Sequence, residues 1–212
     1  VCLYKFRLLN IKKMRYNAIE MIGLSGVGKT TMFHNLGDSL FQNIGKYSTV
    51  NPIKPPKIYY FYETFLLTVK VITGLGFIQS LPVLRSTHYV RLFLKLGYRI
   101  ASIKIRNLSG LVYLRDSGVL MPLLSAVIDD RLKLNNTLLF QILNNIPLPK
   151  HVYCIVDSPT DIYSRFIARE KKIGNDVNGY TVTDFKNANI FLSLLIEKLK
   201  SIGVNVVVLN KV

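Results

Sequence analysis

The chain has 212 residues and carries 28 Lys and Arg against 12 Asp and Glu, a formal net charge of +16. With 50% hydrophobic residues it can bury one core, so the composition excludes a disordered chain and indicates a single domain. Two cysteines exclude a disulfide framework and a cysteine-based metal site, and they fit a reducing, cytoplasmic compartment. The excess of positive charge favours anionic partners, namely nucleotides, nucleic acid or an anionic membrane face.

The N-terminal segment shows no secretory signal, because Lys5 and Arg7 interrupt its apolar run. Met14 lies just before the first predicted strand. We therefore expect residues 1–13 to be a flexible or non-native extension, and residues 14–212 to form the domain.

The most specific motif is the segment MIGLSGVGKTT at residues 21–31. It satisfies the pattern G-x-x-x-x-G-K-[ST], with an apolar strand-like run at 17–23 before it and a helical pattern at 29–41 after it. Glycines allow backbone N–H groups to surround phosphate oxygens, the lysine reaches the β- and γ-phosphates, and the hydroxyl ligates Mg²⁺. The motif predicts a site for ATP and Mg²⁺, with Thr30 as a metal ligand. The predicted binding residues are Gly23, Ser25, Gly26, Val27, Gly28, Lys29, Thr30 and Thr31.

Strand-like runs alternate with helical patterns along the rest of the chain. Further strands are predicted at 47–50, 110–116, 151–158 and 203–210. Helices are predicted within 58–106, with breaks at 73–77 and 80–86, and over 117–132, 158–172 and 184–200. This alternation predicts a three-layer α/β fold with a mainly parallel sheet of about five strands, flanked by helices.

The apolar segment 58–78 is long enough to span a bilayer. Glu63 and Lys70 interrupt it seven residues apart, on one face of a helix. We therefore predict a mostly buried helix with one water-facing stripe, and a membrane contact is disfavoured. The aromatic residues at 59–65 are interpreted as core, with stacking on a base or sugar as the alternative.

Basic residues follow on a second helical pattern, at spacings of three, four, four and seven. They are His88, Arg91, Lys95, Arg99 and Arg106. Such a stripe is usually a solvated helix face, and the alternative is a clamp for an anionic acceptor or a contact to an anionic surface.

Asp116 follows the apolar run at 111–114. A carboxylate at the carboxyl end of a parallel strand lies on the ligand side of such a sheet. Asp116 is therefore a candidate metal ligand, acting through water, or a general base for an acceptor hydroxyl. The alternative is that it caps the following helix.

The helix predicted at 158–172 has clear start signals, with Ser158 as the N-cap, Pro159 in the first position and Asp161 three residues after the cap. Arg165 and Arg169 lie four residues apart and share one face. Two guanidinium groups in this position could close over a triphosphate and stabilise charge as it moves between oxygens. We expect a helical lid over about residues 163–180.

Three segments in this order, GLSGVGKTT, LVYLRDSG and VYCIVDSPTDIYSRFIAREKK, resemble the thymidylate kinase-like group of P-loop kinases, which includes nucleoside and nucleotide kinases. The resemblance covers most of residues 17–210 and implies a lid helix with R-x-x-x-R, matched by Arg165 and Arg169. The arginine that follows the acidic residue in that group is absent, and Arg115 precedes Asp116 instead. An Arg-Glu-Pro-like segment after the second strand is also absent. These departures leave the acceptor open.

The resemblance and the motif together imply an ATP-dependent phosphotransferase that uses Mg-ATP and a small acceptor, with Lys29, Asp116, Arg165 and Arg169 as catalytic residues. The alternative is a non-kinase ATP- or GTP-binding switch with a macromolecular or membrane partner. A regulatory GTPase is disfavoured, because the only D-x-x-G lies late in the chain, at 176–179. No specific nucleic-acid motif is found, and a homodimer is compatible with the sequence.

Overall fold

The computed structural model of the chain describes residues 15–33, 47–50, 53–76, 80, 83–106, 111–114, 118–129 and 132–210. The strands in these ranges are β1 (Arg15–Ile22), β2 (Tyr47–Val50), β3 (Leu111–Leu114), β4 (Leu148–Val156) and β5 (Asn205–Asn210). The longer helices are α1 (Lys57–Leu75), α2 (Thr87–Arg106), α3 (Met121–Ile128), α4 (Asn136–Asn145), α5 (Pro159–Ile173) and α6 (Val182–Ser201). A short helical run at 29–33 follows the glycines. The predicted α/β fold with a parallel sheet is confirmed.

β1 occupies the middle of the sheet, whose strand order is β2-β3-β1-β4-β5 with every pair parallel. Its side chains from Ala18 to Ile22 are all buried, which explains why this part of the strand is apolar except at Glu20. The chain reaches β2 and β3 on one side of β1, and β4 and β5 on the other. The loop after β1 therefore opens at the switch point of the sheet, where α/β proteins bind ligands.

The start of α5 follows the predicted signals. Ser158 Oγ accepts a hydrogen bond from the backbone N–H of Asp161 at 3.1 Å, and Pro159 is the first helical residue. The helix ends at Gly174, which adopts the left-handed conformation (φ 84°). Because these signals are local, the sequence predicts this helix to within about one residue at each end.

α1 is oriented differently from the prediction. Glu63 is buried, with only 8% of its surface exposed, and its carboxylate accepts hydrogen bonds from Lys104 Nζ at 2.7 and 2.8 Å. The predicted water-facing stripe is therefore wrong for Glu63, because a cation from α2 compensates its charge inside the helix pair. Phe61, Tyr62 and Phe65 are exposed, so the interpretation of these aromatic residues as core is also wrong.

The helix pair α1–α2 packs closely at Gly97. A Cβ atom at this position would lie 2.0 Å from Thr64 Oγ1, so only glycine allows the two helices to approach this far. None of the helices within the described ranges is both long and apolar enough to cross a membrane.

α4 was not predicted from the sequence. Its N-cap, Asn135, accepts a hydrogen bond from Leu138 N at 2.8 Å, and Leu138, Leu139, Ile142 and Leu143 bury its apolar side. The helix brings the chain from α3 to the start of β4. The N-terminal extension predicted at 1–13 lies outside the described residues.

Candidate functional site

The glycine loop, which we define as residues 23–31, leaves the carboxyl end of β1. Gly23, Gly26 and Gly28 all have positive φ angles of 154°, 93° and 93°. At Gly26 a Cβ atom would also lie 2.7 Å from the carbonyl oxygen of Ile162 on α5, so the loop backbone packs directly on that helix. This explains why glycine is needed at residue 26, which the G-x-x-x-x-G-K-[ST] pattern does not specify.

Lys29 begins the helical run at 29–33, and its ammonium group lies over the loop. Nζ donates hydrogen bonds to the carbonyl oxygens of Gly23 at 2.9 Å and Leu24 at 3.3 Å. Ser25 is partly buried, Val27 is buried, and Thr30 and Thr31 are exposed at the start of the helix. The positive end of the helix and the Lys29 ammonium group therefore lie together at one loop, an arrangement suited to an anion.

Arg165 contacts the same loop from α5. Its Nε donates to the carbonyl oxygen of Gly26 at 3.0 Å, and its Nη2 forms an ion pair with Asp157. Asp157 follows β4 directly, and its side chain is 12% exposed. Its second carboxylate oxygen accepts a hydrogen bond from Ser158 N at 2.7 Å. The acid thus orients a cation whose other contact is the loop backbone.

Arg169 contacts the loop one helical turn further along α5. Its Nη2 donates to Ser25 Oγ at 2.9 Å and pairs with Glu170, and its guanidinium lies 5.6 Å from the ring centre of Phe166. Hydrogen bonds from Asn175 and Arg169 lower the pKa of Glu170. Arg165 and Arg169 therefore both reach the glycine loop, as their spacing of four residues allows.

Asp157 was missed as a candidate residue in the sequence. It ends the most strand-like segment of the chain, and an acid in that position of a parallel sheet is a recognisable signal. Asp116, the acid that the sequence favoured, lies outside the described residues.

Glu20 is a second residue that the sequence did not single out. It lies in β1, three residues before Gly23, and is fully buried. Its carboxylate accepts hydrogen bonds from Leu120 N at 2.9 Å, Met121 N at 3.3 Å and Tyr16 OH at 3.2 Å. Since α3 has no side-chain cap of its own, Glu20 supplies the hydrogen-bond acceptor at its N-terminus from 100 residues away.

The segment before α3 is shaped around this carboxylate. A Cβ atom on Gly118 would lie 1.9 Å from the Cδ atom of Glu20, so a larger residue cannot be accommodated without displacing the acid. Glu20 and Gly118 therefore connect the strand that leads into the glycine loop with the segment that follows β3.

Burial raises the pKa of Glu20 from 4.5 to about 7, and the hydrogen bonds from Leu120, Tyr16 and Met121 and the charge of Arg99 oppose this rise. Burial, and then the charge of Glu20, raise the pKa of Tyr16 well above its usual range. The strand next to the loop thus carries an acid that titrates near neutral pH.

The basic stripe occupies α2, as its spacing predicted. His88, Arg91 and Lys95 are exposed, and Arg99 and Arg106 are half-buried. Arg99 is close enough to Glu20 to lower its pKa. The stripe is thus exposed to solvent from His88 to Lys95, and Arg99 further along it acts on the buried Glu20.

The described ranges contain no group of three or more His, Cys, Asp or Glu side chains that could hold a metal ion through protein ligands alone. The exposed Thr30 hydroxyl at the start of the helical run fits a Mg²⁺ ion that takes its other ligands from phosphate oxygens and water.

No protein-family model matches the sequence, and no curated protein matches it. Among solved structures, the chain is similar to two structures of deoxyadenosine kinase from M. mycoides. One holds the products dCMP and a flexible dCDP, with 15% identity, a TM-score of 0.43, and coverage of 91% of this chain and 89% of that one. The other holds dATP, with 16% identity, a TM-score of 0.44, and coverage of 91% and 90%. Similarity at this level does not assign an activity.

Proposed function

We propose that the chain is an ATP-dependent phosphotransferase that moves the terminal phosphoryl group of Mg-ATP to a small acceptor, such as a nucleoside, a nucleotide or a related hydroxyl or phosphate compound. The proposal depends mainly on one observation, that three cations from two separate elements meet at the glycine loop. Lys29 lies over the loop carbonyls, Arg165 bonds Gly26, and Arg169 bonds Ser25.

The positions of these cations in the fold support phosphoryl transfer rather than simple anchoring of a phosphate, because one belongs to the loop and two belong to a separate helix. Lys29 belongs to the loop and would hold the β- and γ-phosphates. Arg165 and Arg169 come from α5. Arg165 donates a hydrogen bond to the carbonyl oxygen of Gly26, and Arg169 donates one to Ser25 Oγ. A phosphate in the loop could replace those contacts with charge-assisted hydrogen bonds to its own oxygens.

In the reaction, an acceptor oxygen attacks the γ-phosphorus, and the bond from that phosphorus to the β–γ bridging oxygen breaks. ADP leaves with the electron pair of the broken bond. Where the attacking oxygen belongs to a hydroxyl group, its proton passes to a base. Lys29, Arg165 and Arg169 would neutralise the charge that develops on the transferred group and the leaving oxygen. We assign the base, or the water-mediated metal contact, to Asp116.

Mg²⁺ would neutralise the β- and γ-phosphate oxygens and hold them in place, with Thr30 as its protein ligand. Asp157 would keep Arg165 oriented toward the loop through their ion pair. The acceptor would lie at the same edge of the sheet, where ligands of open parallel sheets bind.

The experiment is to measure ADP release from Mg-ATP against a panel of nucleosides, nucleoside monophosphates and sugars. We expect one acceptor class to raise the rate of ADP release. Lys29→Ala should lower that rate about 100-fold or more, because it removes the positive charge that lies beside the transferred group. Lys200→Ala, at an exposed lysine in the last turn of α6, is the matched control and should keep the wild-type rate.

Turnover in Lys29→Ala at the wild-type rate would contradict the assignment. ATP binding without acceptor-dependent release across the panel would instead favour a nucleotide-binding switch.

A further inference from the structure

A cleft opens where α1, α2 and the turn before β4 meet. Its floor is apolar and is formed by the buried side chains of Leu67, Ile100 and Ile146. Its polar groups are the carboxylate of Glu63, the ammonium groups of Lys70 and Lys104, and the amide of Asn145. We call it the amino-edge cleft, because Ile146 lies two residues before β4 begins.

The amino-edge cleft is separate from the glycine loop. All the strand pairs are parallel, so the start of β4 and the end of β1 lie at opposite edges of the sheet. β1 has 8 residues, and a strand of that length is roughly 25 Å long. A ligand in the cleft would therefore not compete with a phosphate at the loop.

One ion pair is already complete within the cleft. Lys104 Nζ donates to both carboxylate oxygens of Glu63, at 2.7 and 2.8 Å. The Glu63 side chain is 10% exposed and the Lys104 side chain is 42% exposed. The pair neutralises the buried acid and leaves the third N–H of the Lys104 ammonium group for another acceptor.

Lys70 adds a second ammonium group, for which the cleft holds no second acid. It lies seven residues after Glu63, on the same side of α1, and is half-buried. No described residue forms a hydrogen bond or an ion pair with its Nζ. Burial, and then the charge of Lys104, lower the pKa of Lys70, and the charge of Glu63 opposes this shift. With two lysines and one acid the cleft is positively charged, and an anion would relieve the repulsion between the lysines.

The polar groups that remain unused in the cleft are mostly hydrogen-bond donors. Asn145 donates one N–H to the carbonyl oxygen of Gln141 at 2.8 Å and has a second N–H to offer. Together with Lys70 and Lys104, it places donors from three helices around the apolar floor. A carboxylate only accepts hydrogen bonds, so it matches these donors and supplies the missing negative charge. The floor suits an apolar group attached to that carboxylate.

We propose that the amino-edge cleft binds a small organic acid, with its carboxylate between Lys70 and Lys104 and its apolar part on the floor. The free space is about 440 Å³ and is partly open to solvent, which limits the ligand to a small molecule. Inorganic phosphate is a poorer ligand, because it is more strongly hydrated and has no apolar part to cover the floor. The proposal does not depend on the phosphotransferase assignment.

A titration with sodium benzoate tests the proposal, followed by the backbone amide NMR shifts of the isotope-labelled whole chain at constant ionic strength. We expect saturable shifts at Asn145 and Ile146, with a Kd of about 1 mM. Acetate has almost no apolar part and should bind about 10-fold more weakly than benzoate.

A pair of variants on α1 tests the role of Lys70. Lys70→Met keeps an unbranched side chain and removes the charge, so it should weaken benzoate binding about 10-fold. Lys57→Met, at an exposed lysine about 20 Å away along the same helix, is the matched control and should bind benzoate as the wild type does. Lys29→Ala should also keep the wild-type affinity for benzoate, because the glycine loop lies at the other edge of the sheet. Circular dichroism should show both methionine variants folded, since neither lysine is part of the core.

The absence of a saturable shift at Asn145 up to about 20 mM benzoate would overturn the proposal. Equal benzoate affinity in Lys70→Met and the wild type would do the same, as would tighter binding of inorganic phosphate than of benzoate at the same amides. Loss of benzoate binding in Lys29→Ala would place the anion at the glycine loop and not in the cleft.

Discussion

Replacing Glu20 with Gln tests the buried acid beside the glycine loop. Gln keeps an oxygen that can accept from Leu120 N and Met121 N, and it removes the negative charge. Because burial raises the pKa of Glu20, the native chain binds the proton more tightly than the unfolded chain does. Ionised Glu20 therefore lowers the free energy of unfolding progressively as pH rises from 4.5 toward 7, and by a constant amount above that range.

The magnitude follows from the size of the shift. One pKa unit corresponds to about 1.4 kcal/mol, so a rise from 4.5 to about 7 corresponds to about 3 kcal/mol. Most of this amount develops between pH 5 and pH 8. We expect the advantage of Glu20→Gln over the wild type in the free energy of unfolding to grow by about 2–3 kcal/mol across that range.

Urea unfolding monitored by far-UV circular dichroism is the assay, because the chain has no tryptophan for fluorescence. Taking the difference between variant and wild type at each pH cancels the other titrating groups. Glu197→Gln, on the exposed side of α6, is the control and should stay within about 0.5 kcal/mol of the wild type throughout. Parallel curves for Glu20→Gln and the wild type would refute the reasoning.

Two further predictions concern the loop and the segment before α3. Arg169→Ala should lower kcat about 100-fold and change the Kd for ATP by less than about 5-fold, because its guanidinium stabilises the charge that develops between the phosphate oxygens in the transition state. A larger loss in ATP binding than in kcat would mean that Arg169 only anchors ATP in the ground state. Gly118→Ala should lower the free energy of unfolding by about 2 kcal/mol or more, since its Cβ atom would collide with buried Glu20. Gly179→Ala is the control and should lower it little, because a Cβ atom added there would have open space around it. In a Glu20→Ala background the penalty at Gly118 should shrink, and an unchanged penalty would argue against the collision.

The sequence predicted the features that depend on neighbouring residues. The glycine spacing before Lys29 reflects the positive φ angles that this short loop adopts at Gly23 and Gly28. The start of α5 at Ser158 and Pro159 depends on hydrogen bonds within one helical turn. Arg165 and Arg169 share a face for the same local reason, and the structure brings both to the loop.

The features that the sequence missed depend on distant partners. Glu20 is one acid in an apolar strand, and nothing near it indicates that it caps a helix 100 residues further along the chain. In the sequence, Glu63 suggests a water-facing side of α1. In the structure Lys104 of α2, 41 residues further along the chain, pairs with it. On a helix that is apolar on both sides, periodicity alone does not decide which side faces the core.

The most direct test of the phosphotransferase proposal is to follow the terminal phosphate of radiolabelled ATP. After incubation with the acceptor panel, the label is separated into ATP, inorganic phosphate and acceptor product. We predict that the label moves to one acceptor class in the wild type, and that Lys29→Ala does not transfer it. Label released only as inorganic phosphate, or transfer that Lys29→Ala leaves unchanged, would contradict the proposal.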